Sequence, residues 1–478
     1  MPATVSFLTA WKQHAIRFLQ RLRCCDAKLV LRCVAMRKGF WVVALLLACA
    51  TNAFAADQSE MRDRRQRAAS AFHDGILLIH ASVPGDLTED GFRQDPIFYY
   101  FTGLENTFNA VLAIDGQSGE SWLFLPLRTP YPYPHLGLQP EVLPGAETAK
   151  QLGIEHVVDW SELENFLAKC AVSPTRLYLA PGISAGLAMP ANFTGEKAPH
   201  IPLWAQWIHQ KWPTFELVEA REKVYALLSV QSAVEILSVR AAAKATVTAV
   251  MAGIHAVRSG VSQRSVEAAV ENACWTAGAH GTGFWPWAMS GENAVFPHPF
   301  ASVTRYDHLN SIMRAGDLVR LDVGCEWEHY QGDLGRTIPV SGRFTEDQRE
   351  TWNIFVAAYH AGSKALREGV TVDQVFDAWR AELASHRAAA KSPLAQHAIE
   401  EWSDRKNIPF WQVHTINLIA GNPLGPLLAN TTVALEPIAS VDGQAFYLED
   451  MFLVTKDGAE LLTPGVPYSA DEIEAAMK

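Results

Sequence analysis

Three things are in short supply in this 478-residue chain: cysteine, basic charge and long apolar runs. Of its 7 cysteines, Cys24, Cys25, Cys33 and Cys49 fall in the first 55 residues. The remaining three, Cys170, Cys274 and Cys325, can close at most one bridge, so a disulfide framework is excluded as the source of stability. Lys and Arg number 40 against 51 Asp and Glu, and residues 1–55 hold 8 of the 40 but only 1 of the 51. The rest of the chain is therefore net negative by about 18 charges before counting histidine. Such a surface does not suit nucleic acid, whose binding runs on cationic contacts to phosphate. No window is low in complexity and no short period repeats, so solenoids and linker-dominated chains drop out as well. What is present, 49% hydrophobic and 19% charged residues with aromatics throughout, is globular and long enough for two or more domains.

The N-terminus follows its own pattern. Met36-Arg37-Lys38 is a basic start, and Gly39–Cys49 is an apolar stretch shorter than the roughly 20 residues that span a bilayer. Ala53-Phe54-Ala55 then supplies a small-x-small cleavage pattern. Together these read as a signal peptide over 36–55, with 1–35 a spurious extension ahead of a start at Met36. The expected location is periplasmic or secreted, with no stable transmembrane span after processing. Leu46-Leu47-Ala48-Cys49 is also an imperfect lipobox, which leaves a lipid anchor on Cys49 as the alternative. The plain structural reading of the same stretch is a buried N-terminal helix.

From about Ser59 to Thr214 strand and helix patterns alternate. Residues 75–81, 109–115, 120–126 and 176–182 read as strands, with a helical stretch at 161–170. The aromatic-dense segment 92–105 reads as core packing and an interface. From about Glu219 to Ala277 the sequence is Ala-rich and helical in period, broken near Gly260-Val261. Further helices are expected at about Glu346–Glu368 and Val372–His386. The expected protein is α+β: a smaller α/β domain over 56–218, joined near Trp212–Glu219 to a larger catalytic domain over 219–478.

Two pairs of acids carry the chemistry. Asp322 and Asp333 stand eleven apart on apolar, β-leaning runs, and Glu436 and Glu449 stand thirteen apart around the turn-like Asp442-Gly443. If each pair closes as a hairpin, its carboxylates can point to one face. Four such groups in one pocket would repel and shift one another's pKa unless cations sat among them. That is the arrangement a pair of divalent metals needs for hydrolysis. A solvated turn is the ordinary explanation for any one of these acids, and the fourfold pattern argues against it.

The residues around the acids add a resemblance. Asp322–Thr337, DVGCEWEHYQGDLGRT, resembles the first metal motif of the aminopeptidase P and prolidase family of pita-bread metallopeptidases. Ser290-Gly291-Glu292-Asn293-Ala294 followed by His298 resembles the family's substrate loop. Glu436-Pro437 and Leu448-Glu449-Asp450 resemble its last two ligand motifs, Val454–Gly458 its closing strand and turn, and 92–105 its N-terminal domain. The resemblance implies a C-terminal pita-bread domain with two divalent ions, manganese first and cobalt or zinc as substitutes. It also implies hydrolysis of the N-terminal Xaa-Pro bond of peptides, or of Xaa-Pro dipeptides. Carried over by residue, Asp322 would hold one metal, Asp333 and Glu449 would bridge both, and Glu436 would bind the second and transfer a proton. His298 would contact the substrate or the developing oxyanion. A homo-oligomer, dimer or tetramer, is expected.

The fifth ligand departs from the family pattern G-H-G-x-G-L-x-x-H-E, because residues 413–423 read VHTINLIAGNP. In one register His414 is the metal ligand, Asn417 replaces a Gly and Gly421 replaces a second, substrate-facing His. In the other, Gly421 matches a motif Gly and Leu418 takes the metal histidine's place, leaving His414 as a core histidine. The first register supplies an imidazole, which these metals accept. Two further departures are a shortened spacing from His414 to Glu436 and Tyr447 where an Arg often precedes the last Glu motif. They keep a second function open, that of a metal-binding but degenerate, non-peptidase relative. A third class has one foothold in Gly182-Ile183-Ser184-Ala185-Gly186, which fits a hydrolase nucleophile elbow. That elbow must lead into a helix, and Pro190 interrupts one within about a turn. Because the cleavage pattern ends at Ala55, N-terminal sequencing of protein from the native host should begin near Ala56. Recovery of residues 1–35 intact would contradict export.

Overall fold

The computed structural model describes residues 58–82, 93–126, 142–173, 175–180, 184–190, 197–200, 202–295, 310–408 and 410–478. The signal-peptide and lipobox readings over 36–55 and the assignment of His298 lie outside the described residues. The chain divides into two compact units after Lys223.

The first unit is built on a mixed sheet. Its strands are β1 (Gly75–His80), β2 (Val111–Asp115), β3 (Ser121–Leu125), β4 (His156–Asp159) and β5 (Thr175–Ala180). A separate two-stranded ribbon follows, β6 (Ser184–Pro190) with β7 (Lys197–His200), and β8 (Phe215–Glu219) returns to the large sheet, whose order is β4-β3-β2-β1-β5-β8. Strands β1 to β3 are an antiparallel meander, while β4, β5 and β8 run parallel to their neighbours. On one face Ile76 and Leu78 of β1 pack with Leu163 and Leu167 of the helix Leu163–Cys170 and with Ile208 of the helix Leu203–Lys211. The aromatic segment supplies the helix Pro96–Thr102, started by Asp95, whose carboxylate accepts from the Ile97 and Phe98 N–H groups. One expectation changes here: the joint expected near Trp212–Glu219 is occupied by an edge strand of this sheet. Ser184 begins a strand rather than the turn into a helix that a nucleophile elbow requires, in line with the objection from Pro190.

The second unit repeats one plan, helices followed by antiparallel strands. The helix Ala233–Ala256 opens with a Ser232/Glu235 capping box. Gly260, at φ 85°, then turns the chain, and Ser262 caps the helix Gln263–Thr276. These helices back β9 (Gly281–Thr282), β10 (Trp287–Ser290), β11 (Leu318–Val323), β12 (Cys325–Trp327), β13 (Tyr330–Gln331) and β14 (Leu334–Pro339), arranged as β10-β11-β14 and β13-β12-β9. The helices Glu346–Ala365, Val372–His386 and Pro393–Trp402 come next, the first two opened by Thr-x-x-Gln capping boxes. They lead into β15 (Phe410–Thr415), β16 (Thr432–Val441), β17 (Gln444–Tyr447), β18 (Asp450–Val454) and β19 (Ala459–Leu461), in the order β15-β16-β18-β19 with β17 also on β16. The unit is α+β, as its sequence implies.

By length and composition the helix Ala233–Ala256 could cross a membrane, but Ala249, Val250 and Ile254 belong to the main core. Gly253 lets it approach β11 closely, since a Cβ there would lie 2.6 Å from Leu321 Cδ2. With Leu321 turned to that helix, the two-residue period of a strand turns Arg320 and Asp322 the other way. Cys274 and Cys325 form a disulfide that ties the helix Gln263–Thr276 to β12, and Cys170 is free.

The two halves of this unit are joined at Gly335 and Glu449, which exchange backbone hydrogen bonds at 3.2 and 3.0 Å. Arg336 is fully buried beside them. It donates to the carbonyls of Gly335 (2.8 Å), Glu449 (2.7 Å) and Pro467 (2.8 Å), and to Asp450 Oδ1 (3.0 Å). Asp450 in turn accepts from Thr463 and Tyr468 hydroxyls, each at 2.9 Å. Every charge in this network is satisfied, so removing one partner would strand the other. Asp450→Ala should therefore cost about 3–5 kcal/mol of stability in denaturant unfolding. A loss below about 1 kcal/mol would mean the pair is replaceable by water.

Candidate metal centre

In the first half, β11 and β14 pair antiparallel with Asp322 opposite Gly335, and Asp333 lies just before β14. The segment between them is a small hairpin of its own, with Trp327 paired to Tyr330. Its two turn residues, Glu328 and His329, both take positive φ (51° and 66°), as a two-residue hairpin turn demands. Neither is Gly or Asn, so nothing in the sequence marked the turn. In the second half, β15 and β16 pair with Gln412 opposite Glu436 and His414 opposite Ala434. His414 and Glu436 are thus diagonal neighbours on one face. Glu449 immediately precedes β18, at the junction with Gly335.

These placements bring the acids and the histidine together. His414 Nε2 stands 3.4 Å from Glu436 Oε2, 3.4 Å from Glu449 Oε1 and 3.7 Å from Asp333 Oδ2. Asp333, His414 and Glu449 each present a ligand atom within 4.8 Å of the others. Asp322, Asp333 and Glu436 line one cavity of about 260 Å³, together with Phe284, Trp287, Arg320 and Ile438. Five of the six residues named from the sequence therefore converge, and His298 is outside the described residues.

The geometry also separates the two registers. His414 is among the acids, with its Nδ1 3.4 Å from the Thr415 carbonyl oxygen, which leaves Nε2 to face them. Leu418 is buried and does not line the cavity. A Cβ on Gly421 would lie 2.6 Å from Tyr225 Cε2, so the Tyr225 ring takes the room that a histidine at 421 would need. The Tyr225 hydroxyl is bonded to Thr415 Oγ1, beside His414. Asn417 is occupied with backbone, donating to Leu228 O (3.0 Å) and accepting from the Ile419 N–H (2.8 Å). Tyr225 could not be found from sequence, because it lies far from the motif along the chain. Arg320 could have been: it is two residues from Asp322 on an alternating strand.

Burial and mutual repulsion dominate the electrostatics. Burial, then the charge of Glu449, holds Asp333 well above the ordinary carboxylate range. Burial, then Glu436, pushes Glu449 up to about 7. Asp322 is also raised by burial, against the pull of the Arg320 guanidinium. Burial disfavours the charged form of His414, but Glu436 and Glu449 beside it outweigh that and push its pKa up to about 10. Tyr447 is held well above its usual value by burial and the charges of Asp322 and Glu449, so its hydroxyl stays a donor, to Glu449 Oε2 at 2.6 Å. The other oxygen of Glu449, Oε1, is buried and makes no hydrogen bond, with His414 Nε2 3.4 Å away. A buried oxygen without a hydrogen bond, among carboxylates and one imidazole, fits divalent cations of the borderline kind.

Residues 61–178 match the family model "Aminopeptidase P, N-terminal domain", and residues 238–456 match "Metallopeptidase family M24". The Xaa-Pro aminopeptidase of Escherichia coli K12 is 25% identical over 457 residues, spanning 88% of this chain and 98% of that protein. The Xaa-Pro aminopeptidase of Haemophilus influenzae is 22% identical over 446 residues, spanning 88% and 97%. Among solved structures, E. coli aminopeptidase P with the inhibitor Pro-Leu superposes with a TM-score of 0.69 at 23% identity, covering 88% of this chain and 98% of that one. Proline aminopeptidase P II from Yersinia pestis gives 0.69 at 23%, covering 88% and 99%. At that identity the structures speak to the fold, which is the pita-bread fold with its preceding N-terminal domain. The M24 domain implies divalent metal ions. With both domains in order along nearly the whole length of these relatives, the chain belongs to the aminopeptidase P family of metallopeptidases.

Proposed function

We propose that this protein is an exported peptidase that hydrolyses the N-terminal Xaa-Pro bond of peptides, or Xaa-Pro dipeptides, with two divalent ions. The observation that carries the reading is the convergence of Asp322, Asp333, His414, Glu436 and Glu449 on one buried site. Asp333 and Glu449 would bridge the ions, with Asp322 completing one position and His414 and Glu436 the other. An oxygen-rich set with one imidazole favours manganese, with cobalt or zinc as substitutes. When bound, such ions acidify a water and polarise the scissile carbonyl.

The chain's own residues do the rest. Glu436 lines the cavity, where its carboxylate would accept a proton from the attacking water and deliver it to the leaving nitrogen of proline. Phe284, Trp287 and Ile438 would wall the site with apolar surface, excluding water and fitting the pyrrolidine ring. Because proline has no N–H in a peptide bond, selection must come from such shape rather than from a backbone hydrogen bond. Export is supported by the buried Cys274–Cys325 disulfide, which suits an oxidising compartment. A homo-oligomer, dimer or tetramer, is part of the proposal. Gly421, closed off by Tyr225, favours the second reading, a metal-binding but degenerate, non-peptidase relative.

With manganese supplied, the purified protein should cleave Xaa-Pro dipeptides or tripeptides and spare the matching Xaa-Ala peptides. Glu436→Gln should keep metal, since its amide oxygen still donates a lone pair, but lose at least about 100-fold in kcat because it cannot carry a proton. No turnover of any Xaa-Pro peptide by the wild type would leave only the degenerate reading.

A further inference from the structure

We infer that Arg320 makes the two metal positions unequal: by holding one oxygen of Asp322, its guanidinium weakens that position and lets the His414 side load first. Resting on the two-ion reading above, this adds a positioning residue that the metal-ligand motifs do not contain.

The period of β11 puts Arg320 on the cavity face beside Asp322. Arg320 Nη2 donates to Asp322 Oδ2 at 2.5 Å, and each side chain is only 7% exposed. Among the described residues Asp322 is the one acid in ion-pair range of this arginine. Its Nε is buried without a hydrogen-bond partner. The guanidinium carbon lies 4.8 Å from the centre of the Tyr447 ring and 5.7 Å from that of Trp287. Tyr447 can lie there because residue 335 is glycine: a Cβ at 335 would fall 1.9 Å from Tyr447 Cε1. The cation that an arginine at 447 would have brought thus comes from the neighbouring strand instead. The tyrosine at 447 spends its hydroxyl on Glu449.

Two consequences act in the same direction. Asp322 Oδ2 must be shared between the guanidinium and a metal, and a metal there would sit beside a fixed positive charge. Away from bulk water, that like-charge repulsion is poorly screened. On the other side, Asp333, His414 and Glu449 already gather within 4.8 Å without any help from Asp322. The weaker position is therefore the Asp322 one.

Calorimetric titration of metal-free wild type with manganese chloride should resolve two ions whose dissociation constants differ by at least about 30-fold. Arg320→Met keeps length and removes charge. It should tighten the weaker ion at least about tenfold and leave the tighter within about threefold, and Arg320→Lys, which keeps a charge but not the planar fork, should fall between Arg320→Met and the wild type. A second readout needs no variant. The first equivalent of manganese should give the electron paramagnetic resonance spectrum of isolated ions, with spin coupling only as the second enters. Equal constants, coupled spectra from the first addition, or a weaker second ion in Arg320→Met would overturn the inference while leaving the two-ion site standing. The last result would mean that Arg320 prepares Asp322 for metal rather than competing for it. Failure of the wild type to bind any manganese would overturn the inference and the two-ion reading together.

Discussion

Four carboxylates buried in one site repel one another, and the surrounding structure is arranged so that they can nevertheless be held there. Left unopposed, their repulsion would open the site or protonate it. Opposition comes from three side chains: His414 between Asp333, Glu436 and Glu449, Arg320 on Asp322, and Tyr447 donating to Glu449. What remains uncompensated shows as raised affinities for protons. Glu449 rises from 4.5 to about 7 and His414 from 6.5 to about 10. Both shifts are upward, so their contribution to the metal-free fold is fully present below the ordinary values and is lost as pH rises through about 7 and about 10. A divalent ion held by these residues would replace those protons, and would do so more readily as pH rises.

The duplicated plan of the second unit explains how one chain delivers so many charges to one point. Each half presents an antiparallel sheet backed by helices. The first supplies Asp322 and Asp333, the second His414, Glu436 and Glu449. The halves meet through the paired backbones of Gly335 and Glu449, locked by the Arg336–Asp450 network immediately behind. The acid proposed to bind metal and the acid that holds the sheets together are thus one residue apart, at 449 and 450. Glu449 Oε1 makes no hydrogen bond and has the His414 imidazole beside it, while Asp450 has hydrogen-bond partners on both of its oxygens. That difference distinguishes a functional acid from a structural one.

Much of this was legible in the chain. Apolar runs gave the strands at 75–81 and 109–115, a helical period marked the long helices, and the spacing of the acid pairs pointed to a shared pocket. The histidine register was not legible, because choosing between His414 and Leu418 requires knowing which of them the β15–β16 pairing sets beside Glu436. The turn at Glu328-His329 carried no turn residue, and β8 read as a joint because its pairing with β5 is a tertiary fact. Arg320 was within reach of the sequence, two residues from Asp322 on an alternating strand, but its role was not. Only the cavity shows why a charge is tolerated there.

The shared metal site is tested most directly by titrating metal-free protein with manganese at pH 8 in buffers of different ionisation enthalpy, alongside Asp333→Ala. Two ions per wild-type chain should bind with release of about one proton or more, chiefly from His414, and the variant should hold neither tightly. Binding without proton release, or two tightly held ions in Asp333→Ala, would contradict a site built on these buried residues.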